Sequence, residues 1–525
     1  MTVFKKYNTI VRFSAELRTY ATQTKPEAKI LHKWNSVVGL EIHAQINAES
    51  KLFSGASTNF GMPINSCVSL FDCATPGTLP VLNRRCVEAG VLTALALSCN
   101  LNEISLFDRK HYFYADLPAG YQITQQRQPL AVDGTFNFRV YTPGIHKEPY
   151  LKSSKIKQIQ LEQDSGKSLH DDLLKKSLID LNRAGIPLME LVFEPDLSDG
   201  EEAAALVKEL ALILRRLNTC SCKMEEGGLR VDANISVNRH GEALGVRTEI
   251  KNIGSIRGVA TAIKYEIKRQ IKLLDAGGKI VNETLTWDAE TQKTVSMRDK
   301  EEKQDYRFMP EPNLPPLHIH MQENQENLEN LVDVNYLKST LPEMPEESRM
   351  KLEKNFDLTP QYAIILVNEE TLLRLFNDVM CENPKRSSKR VANILIMELL
   401  TALNRKNVKP ENCMINANQI GDLVDLLESK TINSNIVKQT LAELMEHPEK
   451  MPSQIVEEND WVQINDDKKL TELCQDVIDR NEKIVKLYKA GKTKVLKAFL
   501  GEIARITNER ANMGRVKEIL EELLK

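Results

Sequence analysis

The run Val37-Val38-Gly39-Leu40-Glu41-Ile42-His43-Ala44-Gln45 alternates between apolar and polar side chains. Side chains of a β-strand repeat every two residues, so the polar ones share one face: Glu41, His43 and Gln45. Two potential metal ligands, Glu41 and His43, would therefore stand side by side on a rigid element. Alternation is mainly a secondary-structure signal, however, and the run taken alone favours an amphipathic strand with a solvated polar face.

The composition is that of a globular protein with several domains. The chain has 525 residues, of which 42% are hydrophobic and 27% are charged, and this length exceeds one ordinary domain. No apolar run reaches the ~18 residues of a membrane-spanning helix, so we expect no membrane association. The formal net charge is −3, which means that any nucleic-acid contact must come from local basic patches.

Two features of the sequence indicate the compartment. Nine cysteines without a Cys-x-x-Cys pair predict free thiols and a reducing environment. Residues 1–25 contain five Lys or Arg and a single acid, with frequent Ser and Thr. This composition is typical of a transit peptide, so we expect residues 1–30 to direct the protein to the mitochondrial matrix, with cleavage after Tyr20. A disordered basic tail is the alternative.

Residues 31–330 mix strand and helix patterns without a regular β–α–β repeat, which favours an α+β domain. Helical periodicity predicts helices over 85–97, 198–217 and 255–276. Ser198, with Glu201 three residues later, is expected to cap the second of these helices. The proline-rich segment Pro310–Pro316 is incompatible with a helix, and we interpret it as the end of this domain.

Beyond residue 330, glycine and proline become rare and apolar residues recur with a period near 3.6, as in residues 370–380, 387–404 and 417–427. This pattern predicts an all-helical domain over 331–455 and a small all-helical tail domain over 456–525. The predicted fold is therefore an α+β domain, with a mixed or antiparallel sheet and flanking helices, followed by two all-α domains.

Two further carboxylates lie on strand-like segments. Glu162 belongs to the alternating run 159–164, and Glu190 interrupts the apolar run 186–193. A carboxylate in an apolar run is unfavourable unless it is paired or binds a metal, and a core ion pair with Arg183 is the alternative. Mostly oxygen ligands with one nitrogen suit Mg²⁺ or Mn²⁺, and hence phosphoryl transfer. Four candidate ligands form such a set: Glu41, His43, Glu162 and Glu190.

Cations and aromatic rings provide candidate phosphate and base contacts. In Phe107–Tyr114, Lys110 could neutralise a phosphate and the tyrosines could stack on a base. Arg230 and Asp232 follow a glycine turn in Met224–Asn234. A solvated strand or hairpin face is the alternative for both segments. The sequence has no Gly-x-x-x-x-Gly-Lys-Ser/Thr loop, so any ATP would bind to a fold without a P-loop.

The end of the chain is basic although the whole chain is weakly acidic. From Lys483 to Lys525 there are eleven Lys or Arg against five Glu, a net charge of +6. A basic helical module suggests contact with an RNA backbone without sequence specificity. A solvated helix face is the alternative.

Taken together, these motifs resemble the B subunit of the aspartyl/glutamyl-tRNA amidotransferases in its mitochondrial form. The resemblance covers about residues 35–525 and includes the following segments, in this order: Gly39–His43, Pro76–Asn83, Asp108–Tyr114, Leu161–Lys167, Asp180–Glu190, Glu194–Asp196, Met224–Asn234, Arg247–Asn252, Asp305–Arg307, Gly491–Leu500 and Arg510–Asn512.

The resemblance implies a two-step reaction on misacylated Glu-tRNA(Gln). ATP would phosphorylate the glutamyl side chain, and ammonia would then displace phosphate to give Gln-tRNA(Gln). A separate amidase subunit would supply the ammonia, and a small third subunit would fasten the two in a heterotrimer. The α+β domain is called the cradle domain in that family, and the tail would bind tRNA.

Matched position by position, Glu41, His43, Glu162 and Glu190 would hold Mg²⁺. The catalytic residues would be Lys110, Glu162, Glu190 and Asp232, and the nucleotide would be bound by Lys110, Arg230 and Asp232.

The chain also departs from the family pattern. Ser54 and Ala56 stand where some relatives have a first pair of zinc-like cysteines, and Cys67 and Cys73 do not rebuild the second, so we predict no structural zinc. Asn508-Glu509 replaces a Lys-Gly pair, which weakens the expectation of a tail–RNA contact there.

Two other functional classes compete with the ligase subunit. A non-catalytic tRNA-binding or assembly scaffold would keep the fold, but it would have no need for four polar groups on strands. A metallohydrolase would need a nucleophile or amidase motif, and it would leave the basic tail unexplained.

Overall fold

A computed structural model describes residues 33–171, 173, 175–297, 306–323, 325–489 and 495–524. The predicted transit peptide and its cleavage position lie outside these residues. The chain divides into two compact units between Pro345 and Glu346, and each unit is described by itself. All nine cysteines lie in the described residues and are unpaired.

The described part of the first unit contains seventeen strands. They are β1 (Trp34–Gln45), β2 (Asn100–Leu101), β3 (Ile104–Ser105), β4 (Asp108–His111), β5 (Tyr121–Thr124), β6 (Ala131–Val140), β7 (Tyr150–Gln163), β8 (Lys167–Asp171), β9 (Lys176–Asp180), β10 (Pro187–Phe193), β11 (Leu229–Arg239), β12 (Thr248–Lys251), β13 (Thr284–Asp288), β14 (Lys293–Ser296), β15 (Met309–Pro310), β16 (Leu317–His320) and β17 (Val332–Asp333).

Nine of these strands form one sheet in the order β14-β13-β12-β11-β1-β10-β7-β6-β2. Neighbouring strands are antiparallel except β12 and β13, which are parallel. Smaller sheets have the orders β15-β4-β5, β17-β16-β3 and β8-β9. The mixed, mostly antiparallel sheet agrees with the predicted α+β class.

Strand β1 lies in the middle of the large sheet and has one dry face. Four apolar side chains on that face are completely buried: Val38, Leu40, Ile42 and Ala44. They belong to a core that also includes buried residues of three helices, Arg84–Ala96, Gly200–Arg216 and Ile256–Asp275. Because successive side chains alternate, the partly buried Glu41 and His43 are left for the opposite face. The predicted alternation of β1 is therefore confirmed.

The N-cap predicted for the second helix is wrong by one residue. Asp199, not Ser198, caps Gly200–Arg216, because its Oδ1 accepts a hydrogen bond from the backbone N of Glu202 at 2.8 Å. Oε2 of Glu202 accepts in turn from the backbone N of Ser198 at 2.7 Å. The predicted capping box is therefore not formed as such, because the side chain of Glu202 accepts from the residue before the N-cap and not from the N-cap itself.

The polar face of the large sheet is partly covered by the small sheet β15-β4-β5. Gln122 of β5 donates through Nε2 to the carbonyl oxygen of Gln163 at 2.6 Å, and Oγ1 of Thr124 lies 3.4 Å from Oε2 of Glu162.

The chain then passes residue 330 within the same unit. There β16 pairs with β3 and β17, and the helix Val334–Ser339 follows.

The second unit is helical and contains two apolar cores. The first core includes residues of the helices Pro345–Phe356, Pro360–Asn368, Glu370–Glu382, Ser388–Asn393, Leu400–Lys406, Ala417–Glu428, Ser434–Glu446 and Pro452–Glu458, and of the π-helical turn Ile394–Leu399. The second core draws on Asp467–Arg480, Glu482–Lys489, Leu496–Ile506 and Met513–Leu523. This agrees with the predicted all-α character. None of the described helices combines the length and hydropathy that crossing a bilayer would require.

Candidate active site

The register of the large sheet brings polar residues from four strands into one row. His43 on β1 is paired with Glu190 on β10 and with Arg230 on β11, and Glu190 is paired with Gln160 on β7. A second row begins at Glu41 on β1, which is paired with Asp232 on β11. Cross-strand partners point to the same side of a sheet. The rows therefore gather most of the predicted site on the face opposite the core.

Three of the four predicted metal ligands form a tight cluster. One ligand atom from each of His43, Glu162 and Glu190 lies within 4.8 Å of the others. Nδ1 of His43 lies 3.0 Å from Oε1 of Glu162, and Nε2 of Gln160 donates to Oε2 of Glu190. Glu162 is 2% exposed. It is the only cluster of this kind among the residues that the structure describes.

Burial and mutual charge set the protonation of this cluster. Burial alone lowers the pKa of His43, but its hydrogen bond to Glu162 and the nearby carboxylates raise the pKa to about 9. Burial raises the pKa of Glu162, but the contact with His43 outweighs burial and holds it below the ordinary value. Burial and the charge of Glu162 raise the pKa of Glu190. The pocket thus concentrates negative charge that a bound cation would neutralise.

The donor set fits a hard divalent cation. Two carboxylates and one imidazole are oxygen-rich, and they leave coordination positions for water or phosphate oxygens, as Mg²⁺ or Mn²⁺ requires. The observation that supports this fit is the approach of ligand atoms of two carboxylates and one imidazole to within 4.8 Å of one another. His43, Glu162 and Glu190 are therefore the residues that would hold Mg²⁺.

Glu41 lies beside this cluster but does not belong to the 4.8 Å group. Its Oε1 accepts a hydrogen bond from Nδ2 of Asn234 at 3.1 Å. Glu41 lines the same cavity as His43 and Glu190. Three of the four predicted ligands thus form one cluster, and the fourth, Glu41, lies beside it and is hydrogen-bonded to the side-chain amide of Asn234.

Lys110 enters the site from β4 on the covering sheet. Its Nζ lies 4.7 Å from the centroid of the Tyr306 ring, a cation–π contact that fixes the side chain. The same lysine lines the cavity that contains the metal cluster. The structure thus brings Lys110 to the predicted ligands from a different sheet.

Arg230 and Asp232 both lie in the site, and each is held by a neighbour of opposite charge. Nη2 of Arg230 lies 3.1 Å from Oδ2 of Asp164. Nζ of Lys251 lies 3.2 Å from Oδ2 of Asp232. Nε of Arg230 is buried and has no hydrogen-bond partner in the described part of the chain.

Two small cavities open on this polar face. The first has a volume of about 220 Å³ and is lined by all of the predicted site residues: Glu41, His43, Lys110, Glu162, Glu190, Arg230 and Asp232. The second has a volume of about 170 Å³ and shares only three of them: Glu41, Lys110 and Glu190.

The alternative partner proposed for Glu190 is not observed. Nε of Arg183 lies 3.5 Å from Oδ2 of Asp164 and donates to the carbonyl oxygen of Ser165 at 2.9 Å. Sequence reasoning gave no role to Asp164, although it holds two arginines, nor to Asn234 beside Glu41. Both lie within motifs noted in the sequence, but only the strand register reveals their partners.

Comparison with known families identifies the family of this chain. Residues 36–325 match the family model described as the GatB/GatE catalytic domain, and residues 374–524 match the GatB domain. The chain belongs to this family. The matched catalytic domain contains His43, Glu162 and Glu190, and the GatB domain contains the basic tail.

Individual relatives agree with the GatB assignment. The chain is 54% identical over 517 residues to the B subunit of the mitochondrial glutamyl-tRNA(Gln) amidotransferase of Aedes aegypti, covering 98% of both chains. It is 49% identical over 496 residues to the human protein of that name, covering 94% of this chain and 89% of the human one. The B subunit of an aspartyl/glutamyl-tRNA(Asn/Gln) amidotransferase of Rickettsia typhi is 46% identical over 493 residues, with coverages of 94% and 98%.

The names of these relatives indicate the cellular compartment of the chain and its place in a multi-subunit enzyme. The animal proteins are named as mitochondrial, which confirms the mitochondrial localisation predicted for this GatB member. Each relative is a B subunit of a tRNA-dependent amidotransferase. Membership in the GatB family therefore assigns the chain to a multi-subunit ligase rather than to the metallohydrolases.

Proposed function

We propose that this chain is the synthetic subunit of a mitochondrial glutamyl-tRNA(Gln) amidotransferase. It would phosphorylate the glutamyl side chain of Glu-tRNA(Gln) with ATP and then replace the phosphate with ammonia. The observation that carries the proposal is the cluster of His43, Glu162 and Glu190 beside Lys110. The cluster lies inside the matched catalytic domain.

The first step requires a carboxylate to approach a phosphoryl group although both are anionic. Lys110 lines the cavity beside Glu190, and its ammonium group would offset charge on the attacking carboxylate or on the transferred phosphoryl group. Mg²⁺ bound by His43, Glu162 and Glu190 would neutralise phosphate oxygens. The carboxylate oxygen would bond to the γ-phosphorus as the bond to the ADP oxygen breaks.

The nucleotide phosphates need donors that are already oriented. Arg230 is fixed by Asp164 and retains a buried Nε without a hydrogen-bond partner. Lys251 is fixed by Asp232. A preorganised donor stabilises developing charge without having to reorganise during the reaction, so we assign these groups to the phosphates.

In the second step, ammonia attacks the carbonyl carbon of the acyl phosphate and inorganic phosphate leaves. A proton must leave the attacking nitrogen, and a carboxylate that lines the cavity would accept it. Ammonia would come from the amidase subunit, and the small third subunit would complete the heterotrimer.

The helical tail supports the tRNA part of the proposal. Lys483, Lys486 and Lys489 are exposed on the helix Glu482–Lys489 and have no ion pair with any other described residue. Arg515, in contrast, is held by Asp467. The free lysines can contact an RNA backbone, as a binding site without sequence specificity requires.

The decisive test measures ATP-dependent conversion of Glu-tRNA(Gln) with free ammonium, with and without the partner subunits. We expect ADP and Gln-tRNA(Gln) in equal amounts, and hydroxylamine in place of ammonia should trap the acyl phosphate as a hydroxamate. The chain alone should show no glutaminase activity. A chain that binds tRNA but never consumes ATP would instead be the scaffold considered above.

A further inference from the structure

The two cavities on the polar face meet at a common wall. Glu41, Lys110 and Glu190 line both of them, so each cavity reaches the same reactive groups from its own side. His43, Glu162, Arg230 and Asp232 line only the first cavity. A reaction between two large substrates requires such an arrangement, because the attacking and leaving groups must lie roughly in line.

The second cavity differs in chemistry from the first. It lacks the clustered His43 and Glu162, and amide, cationic and aromatic groups take their place. The residues found only there are Thr124, Gln126, Lys157, Gln158, Gln160, Val192 and Phe308. Side-chain amides can donate to a carboxylate and can equally accept from a carboxamide. Amide side chains around the cavity can therefore bind both the glutamyl carboxylate of the substrate and the glutaminyl carboxamide of the product.

Three exposed residues line this second cavity, and two of them, Lys157 and Phe308, carry a charge or a ring. Lys157 is exposed and has no hydrogen bond or ion pair through its side chain in the described part of the chain. Phe308 is 38% exposed, and its ring packs edge-on against Tyr306 at 6.2 Å between centroids. A free cation beside an exposed ring is the combination that binds the phosphate and base of single-stranded nucleic acid.

We propose that the second cavity binds the aminoacylated 3′ end of the RNA substrate. The glutamyl side chain points towards Lys110 and Glu190, the terminal base stacks on Phe308, and a terminal phosphate lies beside Lys157. The nucleotide then occupies the first cavity, which has the complete metal cluster. This assignment rests on the proposed function, since it divides the two substrates of that reaction between two cavities.

The test compares Lys157→Ala and Phe308→Ala in the full complex, with ammonium as the nitrogen donor. Both residues are exposed, so the fold should tolerate either change, which thermal melts would check. Lys155→Ala is the matched control, because Lys155 is also exposed on β7 but does not line the cavity. Loss of one base stack is expected to raise the KM for Glu-tRNA by about tenfold. The KM for ATP should stay unchanged.

Lys157→Ala should also make the tRNA affinity less salt-dependent, by about 0.7 in the log–log slope for one lost contact to a single strand. A rise in the KM for ATP with no change for Glu-tRNA would place the nucleotide in this cavity and overturn the inference. Unchanged KM values for both substrates would overturn it as well. If the unaltered complex fails to convert Glu-tRNA, the proposed function itself is wrong.

A second measurement does not depend on kinetics. Glu-tRNA with a photoreactive 3′-terminal adenosine should cross-link to the peptide that contains Phe308. Unmodified tRNA should suppress the cross-link, and ATP should not. A cross-link to the β11–β12 region instead would exchange the two substrates between the cavities and overturn the inference.

Discussion

Nδ1 of His43 lies 3.0 Å from Oε1 of Glu162, although β10 separates their strands β1 and β7. The two side chains reach over the intervening strand from opposite sides. Their contact raises the pKa of His43 and lowers that of Glu162. At neutral pH the pair is therefore an imidazolium and a carboxylate.

Glu162→Gln should abolish ATP-dependent phosphorylation of Glu-tRNA while tRNA binding survives. The amide keeps the shape of the side chain but removes the charge that a divalent cation needs. We expect a loss of at least about a hundredfold in kcat, within the range for removal of a group that stabilises transition-state charge. Hydroxamate trapping would measure the phosphorylation and filter binding would measure tRNA affinity.

Glu225→Gln is the matched control for this variant. Glu225 is an exposed glutamate of the same unit that lines neither cavity, so its replacement should leave the activity unchanged. Normal turnover in Glu162→Gln would contradict the metal assignment.

Metal binding should become tighter as the pH rises. His43 has a pKa of about 9 in the metal-free protein, and only neutral imidazole can be a ligand. Between the raised pKa of Glu190, about 7, and that of His43, each bound ion must displace one proton, so the affinity increases with pH by up to about tenfold per unit in this window and levels off above it. Calorimetry with Mn²⁺ in buffers of different ionisation enthalpy would count the released protons. Affinity that is flat between about pH 7 and 9 would exclude His43 as a ligand.

The faces of the strands could be predicted from the sequence, but the partners across the sheet could not. Alternation in Val37–Gln45 fixes which side chains of β1 leave the core, because the period of a strand is two. Glu190 was marked as exceptional by its apolar neighbours. Nothing local, however, decides between Arg183 and His43 as its neighbour, because that choice depends on the register of β1 against β10.

The covering sheet is the part that sequence reasoning missed. Lys110 was predicted to be in the site, but its contact with Tyr306 joins segments far apart in the chain. In the second unit, helical periodicity predicted the helices correctly. It did not predict the π-helical turn Ile394–Leu399, which interrupts the expected helix 387–404. A single π turn hardly changes the apolar period, so the pattern contains little trace of it.

Asp72→Ala should destabilise the first unit strongly. Nζ of Lys51 lies 3.0 Å from Oδ2 of Asp72, and both side chains are buried. Oγ of Ser54 donates to Oδ1 of Asp72 at 3.0 Å. Removing one partner of a buried ion pair lowers the free energy of unfolding by about 3–5 kcal/mol, because the other charge is left without compensation.

Urea unfolding would measure this loss in free energy of unfolding. The paired replacement Lys51→Met with Asp72→Leu should recover most of it, since no buried charge remains. Burial already lowers the pKa of Lys51. Asp72→Ala should therefore regain part of its stability at high pH, where the lysine is neutral. Equal destabilisation by the single and paired changes would mean that packing, not charge, dominates.

Replacing Lys483, Lys486 and Lys489 with alanine should weaken tRNA binding without affecting the chemistry. These exposed lysines have no ion partner among the described residues. Each lost contact to duplex phosphate should reduce the salt slope of the affinity by about 0.9. The kcat at saturating Glu-tRNA with ammonium should stay unchanged. Removing residues 470–525 should have the same effect, only larger.

The control for the tail lysines is the double variant Lys264→Ala with Lys272→Ala. Both lysines are exposed on the helix Ile256–Asp275 of the first unit. Their removal tests whether net charge alone explains the change. If both sets weaken binding equally, the tail has no special role in RNA binding. If neither does, the basic tail is a solvated helix face.

Asn234→Ala should loosen the metal site without removing a ligand. Nδ2 of Asn234 donates to Oε1 of Glu41 at 3.1 Å, and this bond orients the carboxylate beside the cluster. Glu41 is the predicted fourth ligand that lies outside the 4.8 Å group, and groups that orient metal ligands typically contribute about 10–100-fold to metal affinity. For Asn234→Ala we expect the apparent Mg²⁺ affinity to fall by a factor within that range, and saturating Mg²⁺ should restore kcat. Asn234→Asp should recover neither the affinity nor kcat, because it places a second carboxylate against that of Glu41. Loss of kcat that saturating Mg²⁺ cannot restore would mean that Asn234 contacts a substrate directly.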